Sequence, residues 1–119
     1  MSGLNAIQCV VFTAIALAVA IGQILFKITS LSLASADNLP VSLLRNATFW
    51  IAIILYAVAT LAWIFVIRGV PISRAYMFMA LTYVFVPVLS AIVLKEEIGV
   101  MNVVATVLIM TGIMISAWK

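Results

Sequence analysis

Residues 6–30 read AIQCVVFTAIALAVAIGQILFKITS, a run of 25 residues whose only charge is Lys27. At ~1.5 Å per residue a helix over this run is about 37 Å long, enough to cross the ~30 Å hydrocarbon core of a bilayer. Three further apolar runs follow, at about 48–67, 72–94 and 100–118. Each is near the ~20 residues that a membrane helix needs. They are too long for barrel strands and lack period-two alternation. The expected fold is therefore all-α and integral to the membrane. Its four transmembrane helices form one up-down bundle over residues 1–119, expected to act as a dimer.

Composition points the same way. Of 119 residues, 68% are hydrophobic and 8% charged, whereas a soluble domain is about 25% charged. A small soluble fold leaves much of its surface in water and could not hide this much apolar area. The net charge of +3 comes from six Lys/Arg against three Asp/Glu, with no basic cluster. Nucleic acid is thus not expected as a partner, and most cations suit helix-end anchoring. Cys9 is the one cysteine and histidine is absent, so neither an intramolecular disulfide nor a zinc site can form. No metal or organic cofactor is expected. Met1 to Gln8 holds no Lys or Arg, and the first run ends in Lys27 rather than a small-residue cleavage site. This favours a retained helix over a signal peptide.

The connections are short except the first, Leu31 to Asn46, which carries Ser32, Ser35, Asp37, Asn38 and Pro40. In the second, Arg68-Gly69-Val70-Pro71, glycine suits a helix C-cap and proline the first turn of the next helix. The third is Lys95-Glu96-Glu97-Ile98-Gly99. Such connections force antiparallel neighbours. Trp50 and Trp118 fall at run ends, as an interfacial belt requires, and Trp63 lies deeper. Four spans place Arg68, Arg74 and Lys119 on one side and Lys27, Arg45 and Lys95 on the other. The balance gives no orientation. It suits an antiparallel dual-topology dimer, a chain oriented by a partner subunit, or functional roles for Lys27 and Arg74.

No Asp or Glu lies within a span. A buried acid is the usual device for proton coupling or for binding an organic cation in the membrane. Gln23 stands one turn before Lys27 on the same face. Its amide needs a partner in hydrocarbon, either another helix or a polar head group. Lys27 can snorkel to the interface, meet a phosphate at membrane level, or pair with Glu97. Arg74, just after Pro71, opposes the helix dipole, but with the free N–H groups of a helix start it suits an anion. Pro87 removes a backbone bond and is expected to kink the third span, a possible hinge. Gly112 and Ser116, extended by Ala105 and Ile109, form a weak small-residue packing stripe. Met77, Met79, Met101, Met110 and Met114 suit core filling or lipid-facing positions.

The segment Leu17–Lys27, LAVAIGQILFK, resembles the first helix of small multidrug resistance proteins. Val70–Tyr76, VPISRAY, resembles the start of their third helix, with its P-x-x-x-A-Y pattern. The Leu94–Ile98 turn and the last helix resemble EamA-type units. Together these motifs cover nearly the whole chain and resemble the drug/metabolite transporter superfamily in its minimal four-helix form. The departures are specific. The essential glutamate of the drug exporters falls on Val19, their Gly-x-Gly on Leu81 and Tyr83, and their third-helix Trp on Met79. The Gly22-Gln23 pair with Lys27 more resembles the small subunits that flip aminoarabinose-linked undecaprenyl phosphate, which carry A-G-Q-x-x-x-K there and a glutamate matching Glu97. Arg74 has no counterpart in that resemblance.

These readings imply a non-enzymatic transporter of a bacterial inner membrane, since no nucleophile and base occur together. The expected cargo is a polyprenyl-phosphate-linked sugar or similar anionic lipid. Lys27 and Arg74 would neutralise its phosphate, Gln23 would hold polar head atoms, and Tyr76 would stack on sugar. The partner is a second copy or a related small subunit. Two alternatives stay open: a drug-cation antiporter with its coupling acid moved to Glu96 or Glu97, and a non-transporting subunit of a membrane glycosyltransferase.

Overall fold

The computed structural model describes residues 6–35 and 37–117, and the side chain of Ala117 lies outside the description. The expectations for Trp118 and Lys119 thus fall outside the described residues. The elements are α1 (Ala6–Ser32), α2 (Leu39–Leu44), α3 (Ala47–Val66, with a 3-10 turn over Ile67–Gly69), α4 (Ile72–Met79), α5 (Thr82–Val93) and α6 (Val100–Ala117). Three spans are long and apolar enough to cross a membrane: Ala6–Ser32, Ala47–Gly69 and Ile72–Val93. Val100–Ser116 is apolar but shorter. The chain is a multi-pass helical membrane protein, and large apolar side chains such as Val10, Ile54, Phe65, Leu108 and Ile115 are exposed around its outside.

Two differences from the sequence expectation have local causes. The first connection is not a bare loop. Asn38 caps α2 by accepting from the Val41 N–H (3.4 Å), with Pro40 in the first turn. Asn46 caps α3 by accepting from the Phe49 N–H (3.3 Å) and donates to the Ser32 hydroxyl (2.6 Å). The Trp50 indole N–H donates to the Leu44 carbonyl (2.7 Å), leaving its ring half exposed. Second, the third span has an unexpected interruption at Ala80–Leu81, ahead of Pro87, which sits inside α5. Around the interruption the bonds tighten to i→i−3: Ala80 to Met77, Leu81 to Phe78, Tyr83 to Ala80 and Val84 to Leu81. The Thr82 hydroxyl donates to the Met79 carbonyl (2.9 Å), the back-bonding that bends helices.

α1 is the axis of the molecule, packing chiefly on α3 and also on α4 and α5. Ala16, Ala20 and Gly22 on α1 and Ala52 and Ala59 on α3 are buried. Small residues at these positions let the two backbones approach. Phe12 of α1 is fully buried against Trp63 and Phe78, each with its ring centre 5.6 Å away. Ala16, Val70, Ala75, Leu81 and Ile113 complete that core. Phe12 meeting Trp63 while Phe26 meets Tyr56 makes α1 and α3 antiparallel. α6 packs mainly on α4 and α5 and buries only Ile113 among its described side chains. Extents of 55 × 36 × 18 Å describe an open slab rather than a closed bundle.

Candidate functional site: a groove along the first helix

Ile15, Val19, Gln23 and Lys27 recur every fourth residue of α1 and so lie along one side of it, spanning ~18 Å. All four face cavities. One of about 210 Å³ joins Ile15 and Val19 to Tyr56, Trp63, Tyr76 and Met79. A second, of about 340 Å³, adds Met77, Ala80, Thr82 and Tyr83 beside Val19. A third, of about 310 Å³, lies between Val19, Gln23, Thr82, Tyr83, Val86 and Pro87. The fourth, also about 310 Å³, is bounded by Gln23, Ile24, Lys27, Val86, Ser90, Leu94 and Glu96. Val19 lines three of them and Gln23 two, so the four join into one groove between α1 and the α4–α5 span. Its lining is apolar and aromatic at the Trp63–Tyr76 end and charged at the Lys27 end.

Gln23 is held from the side. Its amide donates to the Tyr56 hydroxyl, and the Tyr56 ring lies 5.3 Å from the centre of Phe26. That ring also covers Gly22, where a Cβ would fall within 2.7 Å of the ring carbon Cδ2. Real Cβ atoms do not approach so closely, so glycine here makes room for the tyrosine. Gly22, Gln23 and Phe26 thus form one cradle for Tyr56, which also borders the groove.

Among the residues singled out by sequence, Gln23, Lys27, Tyr76 and Pro87 line the groove. Tyr76 stands edge-on to Trp63, ring centres 6.4 Å apart. Arg74 and Glu97 are not among the lining residues of these cavities. Lys27 and Arg74 are not brought together. Phe12 on α1 is level with Phe78 on the third span, so Arg74 and Lys27 are roughly 28 Å apart along the helix axes. Glu96, not Glu97, shares the cavity with Lys27. The choice between the adjacent acids is made by Lys95, whose φ of 58° turns the chain back after α5. The Glu96 N–H then returns to the Ser90 carbonyl (3.2 Å), which also accepts from Leu94 (2.9 Å). Tyr56, Thr82 and Tyr83 were not assigned a site role by sequence reasoning, which weighed Glu96 only as a coupling acid beside Glu97. A glycine inside an apolar helix was the one available signal for Tyr56. Among the described residues no group of His, Cys, Asp and Glu is placed to hold a metal ion.

Two curated relatives match in part, and both are named "Probable 4-amino-4-deoxy-L-arabinose-phosphoundecaprenol flippase subunit ArnE". The protein from Enterobacter sp. (strain 638) is 32% identical over 68 residues, 56% of this chain and 64% of its own length. That from Pseudomonas fluorescens (strain Pf0-1) is 26% identical over 69 residues, 58% of this chain and 60% of its own. The chain thus spans about three-fifths of each relative it matches. No solved structure matches it. The EamA-like transporter family matches residues 2–118, nearly the entire sequence, and the chain belongs to that family.

Proposed function

We propose that this transporter is a flippase, or a flippase subunit, for an anionic polyprenyl-phosphate-linked sugar or similar lipid in a bacterial inner membrane. The observation that carries this reading is the polarity gradient along one stripe of α1, from Ile15 and Val19 through Gln23 to Lys27. Such a lipid has the same gradient. Its tail can remain in hydrocarbon while a charged head moves along a protein surface that replaces water. Lys27 neutralises the phosphate at one end of the path, Gln23 and the Tyr56 hydroxyl offer polar contacts midway, and Tyr76 stacks on sugar near the other. Arg74, roughly 28 Å away along the axis, serves as a second station for the phosphate rather than a second clamp on it.

Val19 at the centre of the groove supports lipid over proton-coupled cation antiport, because an acid is needed there to bind and exchange the two cations. The groove is open along its length, so the four spans act with a second chain, an identical copy or a related small subunit. The reaction is movement without covalent chemistry. The test is translocation of a labelled polyprenyl-phosphate sugar across vesicles holding the full chain, alone and with its related subunit. Lys27→Gln is expected to slow translocation at least about tenfold, as befits loss of a charge-assisted contact. An unchanged rate in Lys27→Gln, or no translocation by the wild type, overturns the reading.

A further inference from the structure

The short helix α2, Leu39–Leu44, has Ser42 as its only polar side chain, yet none of its residues is buried against the rest of the protein. Leu39, Val41 and Leu44 are exposed, as are Leu31 ahead of them and Trp50 after them. A helix this short is marginal in water, because few backbone bonds offset its nucleation. Apolar cover over these side chains is what holds it.

The ties of α2 decide what that cover is. The Arg45 N–H donates to the Val41 carbonyl and the Asn46 N–H to the Leu43 carbonyl, each at 3.1 Å, so α2 runs into α3 without a free linker. The Trp50 indole N–H, one turn inside α3, donates to the Leu44 carbonyl (2.7 Å). Asn46 also donates to Ser32 at the end of α1 (2.6 Å). α2 is thus pinned to the first turn of a membrane span, at the level of a half-exposed indole, which is where acyl chains meet head groups. Trp50 shares a helix face with Ile54 and Val58, both exposed, so the apolar surface at α2 continues into the lipid-facing side of α3. Arg45 is exposed at the C-terminal end of α2, where it suits the phosphate layer of the same leaflet.

We propose that α2 is an interfacial anchor, with Leu39, Val41 and Leu44 seated in the boundary between acyl chains and head groups of bilayer lipid. The lipid here is the membrane itself and not cargo, so the assignment is independent of what the groove carries. Through the Ser32–Asn46 bond the anchor sets the height of the end of α1, and with it that of Lys27, about 8 Å back along the same helix.

The test uses the full chain carrying Cys9→Ser and one new cysteine for a bimane label: Val41→Cys, Leu44→Cys or, as the control in the exposed polar stretch before α2, Ser35→Cys. Each protein is placed in phosphatidylcholine vesicles whose acyl chains carry bromine near the ester end. The bromolipid is expected to quench the labels at 41 and 44 at least about threefold more than the label at 35, and aqueous iodide to show the reverse order. Equal quenching at all three positions by either agent overturns the anchor. So does shielding of 41 and 44 from both agents, which would place α2 under a second protein chain.

Discussion

Gly22 and Tyr56 are fitted to each other, and the fit predicts what substitutions do. A methyl group at position 22 would meet the Tyr56 ring well inside van der Waals contact. Gly22→Ala is therefore expected to lower stability by about 1–3 kcal/mol, the usual cost of overpacking. Thermal unfolding in detergent checks this, and pairing the change with Tyr56→Leu should recover most of the loss. The Gln23–Tyr56 hydrogen bond makes a second prediction. Gln23→Leu and Tyr56→Phe should each cost about 1 kcal/mol, because each leaves the other partner unsatisfied. The double variant should cost little more than either single one, since the pair acts as a unit. Additive losses would show that the bond contributes nothing. The sequence marked Gln23 as needing a partner but gave no means of choosing Tyr56. That pairing is 33 residues apart and depends on how α1 and α3 are rotated, a property of packing that periodicity does not encode.

Helix ends and interruptions were unevenly readable for related reasons. The spans near 6–30 and 48–67 correspond to helices over 6–32 and 47–66, because long apolar runs with polar ends leave little choice of boundary. The third span was harder. Pro87 lies inside α5, and nothing in the sequence pointed to the tightened turn at Ala80–Leu81, where Thr82 engages the Met79 carbonyl. Threonine has two local options in a helix, and sequence alone does not say which it takes. Pro87→Ala is thus expected to leave the interruption in place. Amide exchange should remain faster at residues 80–84, with their i→i−3 bonds, than in the rest of α4 and α5. Slow exchange throughout residues 80–84 in that variant would assign the break to the proline after all. The turn after α5 offers a sign-definite test. Lys95 adopts a φ of 58°, a region costing a non-glycine residue roughly 1 kcal/mol. Lys95→Gly should therefore raise stability by about that amount. A lower melting temperature would mean that the lysine side chain contributes more than the backbone loses.

In the proposed reading, the open slab is what gives a chain this small a path for cargo. α6 packs on α4 and α5, and the groove runs between α1 and the α4–α5 span. Membrane insertion was readable from composition, since apolar side chains on both the inside and the outside require lipid as solvent. The groove was only half readable. Gln23 and Lys27 were identified from residue type and spacing and Tyr76 through the P-x-x-x-A-Y resemblance, whereas Glu96 was selected by a backbone turn and Val19 stood out only as a missing acid. The central claim is that lipid lies along the Val19–Gln23–Lys27 stripe. Photocrosslinking with a polyprenyl phosphate bearing a reactive group beside the phosphate tests this directly. Adducts are expected on Gln23, Lys27, Val86 and neighbouring groove residues, with competition by unlabelled polyprenyl phosphate and not by uncharged polyprenol. Adducts confined to the outer face of α6, or equal labelling by the uncharged lipid, would contradict the account.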